Sequence, residues 1–520
     1  MTASEPDVLV VGAGPSGLAV ALQAHDHGAR VRVLERRTRA FRPSRALIVY
    51  PRTLEVLRPL GVTDALVDRG DLTPSVRLHI RHRQLPISLR ELPIDGTAFP
   101  HLLFVGQAVV EQVLAEALAA RGIAVEYGTE VVGVRGGSAG AEVTWRRGQG
   151  SGTLGCRFLA GCDGSSSTVR DAAGIDWRGA RYRQEVVLAD IELSRDLDGG
   201  SHAVPGRGGV LFLFGLDEHA SVRLLATRPA ELCGGQPGRR RGAVAAGELQ
   251  ALIDDAGLDA RITSVAWSAR VPLQRRIASR YRAGSLFLVG DAAHVHSPAA
   301  GQGMNTGLQD ATNLGWKLAF AATGRPAGRA STERLLDSYD AERRPAGRRV
   351  LALTRAVFWA EAGTGPVASR VRTVLVPAVA PVLPYLLRNR PLVSAGMRIL
   401  SQLDLTYRST LLPSGDRSRS RYTPPSGRRL PDGQVTVGGR QRRLHDLLAR
   451  AGMHVLLERS GPPLDPSEVD GRVHLWRVES WPGHGVTVVR PDGYVGYHHA
   501  RPRPEDVTGW LAEMGAGLSG

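Results

Sequence analysis

The stretch DVLVVGAGPSGLAVALQAHDHGARVRVLER, residues 7–36, decides the fold of this chain. A short apolar run enters a glycine-rich turn, a segment with helical periodicity follows, and a second apolar run ends the stretch. This order predicts a strand, a turn, a helix and a second strand, the unit from which nucleotide-binding sheets are built. We therefore predict an α/β domain of the Rossmann type, whose ligands collect at the carboxyl ends of its parallel strands.

The turn GAGPSG gives each of its glycines a separate task. Gly12 permits the tight turn, Gly14 lets the backbone approach a pyrophosphate, and Gly17 lets the helix and strand pack closely. Pro15 and Ser16 lie at the predicted helix N-terminus, where free N–H groups and the helix dipole favour phosphate. The pattern predicts a dinucleotide site; a glycine-rich turn in another kind of α/β protein is the alternative.

Glu35 ends the second predicted strand, 18 residues beyond Gly17. At this place a carboxylate accepts hydrogen bonds from an adenosine ribose and disfavours a 2′-phosphate. The sequence therefore favours FAD or NAD over NADP at this turn. Glu35 and the following Arg36 are both predicted nucleotide contacts.

A second motif, RFLAGCDGSSSTVRDAAGI, covers residues 157–175. An apolar strand leads to Asp163, and serine and threonine residues follow. Taken alone, the motif is equally well explained as a strand, a turn and a helix capped by Ser167 or Thr168. Asp163 becomes a predicted ligand contact only in company with the other motifs.

A third motif, LFLVGDAAHVHSPAAGQGMNTGLQDATNLGWKLA at 286–319, places Asp291 at the end of an apolar strand. A carboxylate there can hold a ribityl hydroxyl of a flavin. A helix predicted over 307–320 points its positive end at the site, where a reduced flavin carries negative charge. The other predicted flavin contacts in this stretch are Pro298, Gly301, Gln302, Gly303, Met304 and Asn305.

The texture of the sequence divides the chain into three domains. Residues 1–175 and 272–400 have the α/β pattern. Alternating apolar residues over 176–271 predict an inserted antiparallel sheet, with 76–100 joining it, as the substrate domain. Residues 401–520 form a smaller C-terminal domain, in which VVRPDGYVGYH predicts a hairpin.

The composition argues against several other classes of partner. The net charge is +16, but the basic residues are scattered arginines, with Lys317 as the only lysine, so nucleic acid is not a predicted partner. The cysteines show neither metal-ligand spacing nor a redox pair; they are Cys156, Cys162 and Cys233. His294 and His296 look like a paired metal site but lack further ligands at suitable spacing, so we predict no metal.

The sequence contains no convincing membrane segment. The N-terminus lacks a basic region before its apolar run, so it is not interpreted as a signal peptide. The best candidate for a membrane span, residues 371–387, holds an arginine and three prolines and is predicted to be a packed helix–turn segment. We predict a cytoplasmic protein without a membrane partner, either a monomer or a homodimer.

Together the three motifs resemble those of the class A flavoprotein monooxygenases, the aromatic-hydroxylase family, over about residues 5–360. GAGPSG with Glu35 is similar to the family's FAD-binding motif, residues 162–164 to its DG motif, associated with FAD and NADPH, and residues 290–294 to its GD motif. The resemblance implies a p-hydroxybenzoate hydroxylase-like fold. It also implies Arg45 and Gln107 as flavin contacts and Val131 as a backbone contact to adenine.

The nearest resemblance is to bacterial hydroxylases that tailor polycyclic polyketides, which commonly carry a C-terminal thioredoxin-like domain. Residues 440–520 look like that domain, but no CxxC occurs there, so we expect it to be redox-inert. One residue departs from the family pattern: Ala300 stands where a glycine is usual beside the flavin ring. A β-carbon there restricts the backbone or crowds the ring.

The resemblance implies a reaction in which NADPH, or NADH, reduces FAD, and O2 then forms a C4a-hydroperoxide that hydroxylates a polycyclic aromatic ring. Because the chemistry is centred on the flavin, no catalytic side chain is nominated. Phe212 and Phe214 are candidates for the substrate cavity, with core packing as the alternative. Arg52 is a candidate for a substrate carbonyl, with a solvated helix-start position as the alternative.

Three other functions stay open at this stage. Baeyer–Villiger oxygenation of a similar substrate would use the same cofactor. A flavin-dependent halogenase is disfavoured, because its characteristic Trp-x-Trp-x-x-Pro stretch is missing. A non-catalytic flavin-binding protein would oxidise no NADPH with any aromatic compound.

Overall fold

The structure is a computed structural model. It describes residues 5–40, 47–72, 74–80, 83–89, 92–195, 197, 200–206, 209–215, 222–229, 243–324, 327–363, 365–379, 381–407, 424–458, 464, 469–480 and 485–516.

The strands in chain order are β1 (Val8–Val11), β2 (Val31–Glu35), β3 (Ile48–Val49), β4 (Ser75–Ile80), β5 (Arg83–Ser88), β6 (Leu103–Phe104), β7 (Val125–Tyr127), β8 (Glu130–Gly136), β9 (Ala141–Arg147), β10 (Gly150–Cys156), β11 (Phe158–Gly161), β12 (Trp177–Leu193), β13 (Ser201–Pro205), β14 (Val210–Gly215), β15 (Val222–Pro229), β16 (Ile262–Ala278), β17 (Arg282–Ala283), β18 (Leu286–Leu288), β19 (His294–Val295), β20 (Gln434–Val437), β21 (Arg440–Arg443), β22 (Met453–Glu458), β23 (Val473–Val478), β24 (Val486–Val489) and β25 (Val495–His499).

The α-helices are α1 (Pro15–Asp26), α2 (Pro51–Leu57), α3 (Thr63–Asp68), α4 (Gln107–Ala120), α5 (Thr168–Ala172), α6 (Ala246–Asp255), α7 (Gln302–Thr323), α8 (Arg329–Ala362), α9 (Pro366–Arg370), α10 (Val376–Val379), α11 (Leu383–Arg388), α12 (Arg390–Leu400), α13 (Leu444–Leu447) and α14 (Pro504–Glu513).

The first sheet has the strand order β17-β18-β11-β1-β2-β7. Its strands pair in parallel except for β17 at one edge. Every residue of β1 is buried, as expected of a strand covered on both faces, and α1 and α7 pack together beside it. The predicted strand–helix–strand unit is confirmed, and all three motifs leave this sheet at its carboxyl edge.

A second, largely antiparallel sheet has the order β19-β16-β12-β15-β14-β13-β4-β5. Its strands come mainly from the segment between the two parts of the α/β domain, and residues 75–88 add β4 and β5. Alternate residues of β12 divide its two faces: Val187, Ala189 and Ile191 pack under α6. Val186 and Leu188 face the opposite way and pack with Ala299 and with Phe358 and Ala362 of α8.

The C-terminal domain has a sheet of order β23-β22-β24-β25. β22 and β23 are parallel, β24 and β25 are antiparallel, and α14 follows. This topology agrees with the predicted thioredoxin-like domain. The hairpin predicted at VVRPDGYVGYH is confirmed, since Val488 on β24 pairs with Tyr497 on β25.

Two sequence-based expectations are wrong. The helix predicted over 307–320 begins earlier, at Gln302, because Gly301 adopts a left-handed conformation and caps it. The segment 371–387 is helical but interrupted, and it is not packed: Val374 is 60% exposed and Tyr385 is 69% exposed. Within the described ranges, no helix combines the length and apolarity needed to cross a membrane.

Candidate functional site

A cavity of about 520 Å³ lies between the carboxyl edge of the parallel sheet and the inner face of the antiparallel sheet. All three sequence motifs contribute to its walls. The predicted site residues that line it are Gly12, Gly14, Pro15, Ser16, Glu35, Arg36, Gln107, Val131, Asp163, Asp291, Pro298, Gly301, Gly303 and Met304. These residues lie far apart in the chain, between positions 12 and 304. They meet in one cleft because the parallel strands that precede the motifs end at the same edge of the sheet.

The three glycines of the first motif occupy three different environments. Gly12 has φ +103°, and a β-carbon there would lie 2.4 Å from the carbonyl oxygen of Cys162. A β-carbon on Gly17 would lie 1.9 Å from the Gly12 carbonyl oxygen, so Gly17 allows helix α1 to contact the turn. A β-carbon on Gly14 would meet no atom within 4 Å and would project into open space. Gly14 therefore leaves room that its own protein does not fill.

Glu35 is held rigidly at the end of β2. Its carboxylate accepts hydrogen bonds from the backbone N–H groups of Ala13 (2.7 Å) and Arg37 (2.8 Å) and pairs with the Arg37 guanidinium. Burial opposes ionisation, but the hydrogen bonds from Arg37 and Ala13 hold the pKa of the Glu35 carboxyl below its ordinary value. A fixed carboxylate at the cavity wall suits a ribose diol.

Asp163 combines two roles that looked like alternatives in the sequence. Ser167 caps α5 by accepting a hydrogen bond from the Arg170 N–H, so the predicted cap is confirmed. Asp163 Oδ2 accepts a bond from the Val169 N–H at 3.2 Å, but Oδ1 is buried without a partner among the described residues. Burial raises the pKa of the Asp163 carboxyl. An unsatisfied acceptor in the cavity wall indicates a missing ligand donor.

The third motif presents backbone to the cavity. Asp291 and Pro298 are exposed at its wall, and Gly301, Gly303 and Met304 follow at the N-terminus of α7. Ala300 adopts φ +57° and ψ 20°, a conformation that glycine takes more easily. Its carbonyl accepts hydrogen bonds from the Tyr50 hydroxyl at 2.8 Å and from the Gln302 amide at 3.2 Å.

Some predicted contacts do not line the cavity. The Gln302 amide donates to the Leu400 carbonyl, and Asn305 uses its side chain to hold Tyr50 and Ile48 backbone groups. Both side chains lie in the first turn of α7, behind the loop, and Gly17 is likewise behind the turn. Their role toward a cofactor stays a prediction. Arg45 lies outside the described residues.

Arg52 lies outside the cleft, and the expectation that it is solvated is wrong. It is 2% exposed, pairs with Glu55, and donates to the Asp492 carbonyl of the C-terminal domain. Phe212 and Phe214 stack at 5.9 Å on the inner face of the antiparallel sheet. They are half-buried and do not line the cavity themselves, although Leu225 beside Phe212 does. Their contact with substrate stays a prediction.

Among the described residues, His294 and His296 do not belong to any group of three or more side chains that could bind a metal ion. His294 Nε2 shares a hydrogen bond of 2.6 Å with Asp310, which also pairs with Arg343, whereas His294 Nδ1 is buried without a partner among the described residues. His296 lines the cavity and bonds the Ser297 carbonyl. Burial lowers the pKa of His296 to about 4, which keeps its ring neutral.

Sequence reasoning missed several lining residues. Arg37 directly follows the predicted pair, and Glu111 lies one helical turn beyond Gln107, so both had a spacing signal. The apolar residues Val186, Leu188, Leu225 and Val271 come from three strands of the antiparallel sheet. Only strand pairing brings them together, so no local signal could have identified them.

The cleft fits a dinucleotide with a bulky ring system. Gly14 and the α1 N-terminus would hold a pyrophosphate, Glu35 a ribose, and the open acceptor of Asp163 a hydroxyl or N–H donor. The second helix N-terminus, at α7, would face the flavin ring. Fold and site together define a flavin-binding oxidoreductase.

Comparison with known proteins identifies the family. Residues 5–354 match the model described as "FAD binding domain", and residues 423–514 match "Aromatic-ring hydroxylase, C-terminal". The chain is 36% identical over 429 residues to 6-methylpretetramide 4-monooxygenase of Streptomyces rimosus, covering 79% of this chain and 72% of that protein. It is 33% identical to rifampicin monooxygenase of Streptomyces venezuelae, with 94% of each chain covered.

Solved structures show the same fold. The anhydrotetracycline hydroxylase OxyS of Streptomyces rimosus superposes with a TM-score of 0.77 at 27% identity, covering 99% of this chain and 100% of that one. The angucycline-biosynthesis aromatic hydroxylase CabE superposes with a TM-score of 0.76 at 29% identity, with the same coverage. The chain belongs to the FAD-dependent aromatic-ring hydroxylases. It is an enzyme, a flavin-dependent monooxygenase; FAD is its cofactor, NAD(P)H the typical reductant, and the p-hydroxybenzoate hydroxylase-like fold is confirmed.

Proposed function

We propose that this enzyme inserts one oxygen atom of O2 into a polycyclic aromatic substrate of the polyketide type. The observation that carries the proposal is the apolar wall of the cleft, formed by Val186, Leu188, Leu225 and Val271 on neighbouring strands of the antiparallel sheet. It lies opposite the loop that begins at Pro298, so a planar ring system fits between them. This class of substrate is supported by the names of the relatives, which include a 6-methylpretetramide monooxygenase, a rifampicin monooxygenase, an anhydrotetracycline hydroxylase and an aromatic hydroxylase from angucycline biosynthesis.

The residues of this chain would bind FAD, orient the substrate and shield both from water. The α1 N-terminus and Glu35 would anchor the adenosine diphosphate part, and Asp163 and Asp291 would hold the polar chain between nucleotide and ring. When bound, FAD supplies the redox chemistry, namely electron transfer from NAD(P)H and activation of O2. The apolar wall would exclude water and hold the substrate ring toward the Pro298–Met304 loop.

The test is a turnover assay with purified FAD-loaded enzyme and a panel of polycyclic phenols. We expect a substrate to accelerate NAD(P)H oxidation and to yield a product that has gained one oxygen atom, detected by mass spectrometry. Release of hydrogen peroxide alone, with no oxygenated product from any member of the panel, would contradict the proposal. A lactone or ester product would instead indicate Baeyer–Villiger oxygenation, and halide incorporation would indicate a halogenase.

A further inference from the structure

The antiparallel sheet carries a buried ion pair on the face that it turns toward the cleft. Arg223 on β15 lies directly opposite Asp190 on β12, and their side chains form two hydrogen bonds of 2.8 and 2.9 Å. Arg223 is 3% exposed. Its remaining nitrogen, Nη1, is buried and has no hydrogen-bond partner in the part of the chain that the structure describes.

Strand register places this pair in a row that crosses four strands. Asp190 lies opposite Trp267 on β16, and Arg223 lies opposite Phe214 on β14, so the order across the sheet is Trp267, Asp190, Arg223, Phe214. The residues directly opposite each other on neighbouring strands share a face. The row therefore has a charged centre between two aromatic side chains.

The next row along the strands belongs to the cleft wall. Leu188 lies opposite Leu225, and both line the cavity. The charged row is two residues further along each strand, about 7 Å away, on the same face. It lies on the side away from the Val271–Gln274 end of β16, where the wall approaches the loop at Pro298.

Phe214, at the aromatic end of the row, is linked through a chain of side-chain contacts to the Pro298–Met304 loop. Phe214 contacts Phe104 edge-on at 6.2 Å, Phe104 pairs with Ile48 across β6 and β3, and Ile48 lies beside Gly301. The residues of the charged row do not line the cavity themselves, but the row adjoins the lining pair Leu188 and Leu225 and reaches the Pro298–Met304 loop through Phe214 and Phe104. A fused polycyclic ring lying on Leu188 and Leu225 is long enough to reach it.

Resting on the proposed function, we propose that Arg223 is a specificity-determining residue that recognises an oxygen acceptor on the substrate ring furthest from the flavin. The acceptor is a carbonyl, phenolate or carboxylate oxygen, because the unpaired Nη1 is a cationic donor. Asp190 binds Nε and Nη2, which holds the guanidinium plane in place, and leaves the N–H groups of Nη1 for the ligand. Trp267 and Phe214 limit the position of the ring that bears the acceptor.

The test compares two ligands that differ only at the recognised group: a hydroxylated anthraquinone carboxylate and the same hydroxylated anthraquinone without the carboxylate. Their dissociation constants are measured from changes in flavin absorbance on oxidised holoenzyme, without NAD(P)H. We expect the carboxylate to bind about 10- to 100-fold more tightly, the effect of one charge-assisted hydrogen bond. Arg223→Gln should remove that difference and leave binding of the plain ring nearly unchanged.

Arg270→Gln is the matched control. Arg270 lies on the opposite face of the same sheet, pairs with Glu185 and Glu248, and is also largely buried. It should preserve the preference for the carboxylate. Asp190→Asn provides a second variant: it keeps the side-chain shape, leaves the Arg223 charge uncompensated, and should increase the preference several-fold.

Three results would overturn the inference: no preference in the wild-type enzyme, a preference that survives in Arg223→Gln, or an equal loss in Arg270→Gln. If Arg223→Gln does not fold, an unchanged preference in Asp190→Asn has the same force. Because these measurements need no turnover, failure of the inference is distinguishable from failure of the proposed function, which the product assay tests.

Discussion

The flavin cleft and the junction with the C-terminal domain handle buried polar groups in opposite ways. At the junction, Glu342 on α8 accepts hydrogen bonds from Arg490 (2.7 and 2.8 Å), from Lys317 (2.8 Å) and from Asn313 (2.9 Å). Both carboxylate oxygens are used by the protein. In the cleft, by contrast, Asp163 Oδ1 is buried without a partner in the described part of the chain.

The difference separates groups that stabilise the fold from groups that await a ligand. Arg490 and Lys317 hold the pKa of the Glu342 carboxyl far below its ordinary value against the opposing effect of burial. Burial lowers the pKa of Lys317 to about 8, although Glu342 favours its charged form. Burial of a polar group costs free energy unless the group is hydrogen-bonded. An unpaired polar group in the wall of a cavity therefore indicates where a ligand would supply the missing partner.

Removing the central carboxylate should break the junction and give the largest effect. In Glu342→Ala, Lys317 and Arg490 lose their shared partner while buried, and the free energy of unfolding should fall by about 3–5 kcal/mol. Denaturant unfolding of the apoprotein measures this change. The cleft control, Asp163→Asn, should alter apoprotein stability by less than about 1 kcal/mol, since no protein donor is lost from Oδ1. Equal losses in the two variants would contradict the comparison.

Buried titratable groups in packed regions, such as His454 in the C-terminal domain, should make the stability of the protein depend on pH. His454 is 2% exposed, and burial lowers its pKa to about 3. In the unfolded chain its pKa is near the ordinary 6.5, so between these values the unfolded state binds the proton and stability falls as pH falls. From pH 7 to pH 5 this one group should reduce the free energy of unfolding by about 2 kcal/mol.

The measurement for His454 is the urea midpoint at pH 7 and at pH 5 in the wild type and in His454→Gln. The variant should lose its own share of the pH sensitivity and keep the remainder, because burial shifts other histidines in the same direction, among them His27 and His296. If the urea midpoint of His454→Gln changed as much between pH 7 and pH 5 as that of the wild type, His454 would not bind its proton preferentially in the unfolded state.

Gly14 tests the cleft without disturbing the fold. Its φ of −75° and ψ of 177° are accessible to alanine, and the added β-carbon meets no protein atom. Gly14→Ala should therefore leave apoprotein stability unchanged but weaken FAD binding about tenfold, roughly 1.4 kcal/mol. Titration of apoprotein with FAD gives the dissociation constant. Gly17→Ala is the contrasting variant and should fail to fold, because its β-carbon overlaps the Gly12 carbonyl; normal FAD affinity in Gly14→Ala would contradict the assignment.

The smallest effect concerns Ala300. A left-handed conformation costs a non-glycine residue about 1–2 kcal/mol, and glycine loses about 0.5–1 kcal/mol of that gain through its greater freedom when unfolded. Ala300→Gly should thus stabilise the protein by up to about 1 kcal/mol, measured by denaturant unfolding. The hydrogen bonds to its carbonyl from Tyr50 and Gln302 are retained in the variant. A destabilised variant would show that the alanine methyl contributes packing at the loop.

Most of the predicted residues that line the cleft could be identified because their sequence signals are local. Gly12, Gly14 and Glu35 belong to one strand–helix–strand unit, and Asp163 and Asp291 each follow an apolar strand. Parallel strands of one sheet end at the same edge, so these positions had to meet. The start of α7 was not predictable: Gly301 in a left-handed conformation caps it, and Gln302 is anchored to Leu400, nearly 100 residues away in the chain.

The burial of the charged residues and the identity of their partners could not be predicted from the sequence either. Arg52 looked like a solvated residue at a helix start, but the Asp492 carbonyl and the Tyr494 ring of the C-terminal domain cover it. The row from Trp267 to Phe214 also depends on strand register, since its members come from four separate strands.

The amino-acid sequence by itself determined the Rossmann-type unit and the positions of the turns that line the cleft, and it predicts the division into an α/β body, an inserted sheet and a C-terminal domain. These features follow from short-range properties: apolar periodicity, glycine conformational freedom and residues at strand ends. The tertiary structure alone decided which polar side chains were paired and which were left open. Burial makes an unpaired charge unfavourable, and its partner is supplied by whichever distant segment packs against it.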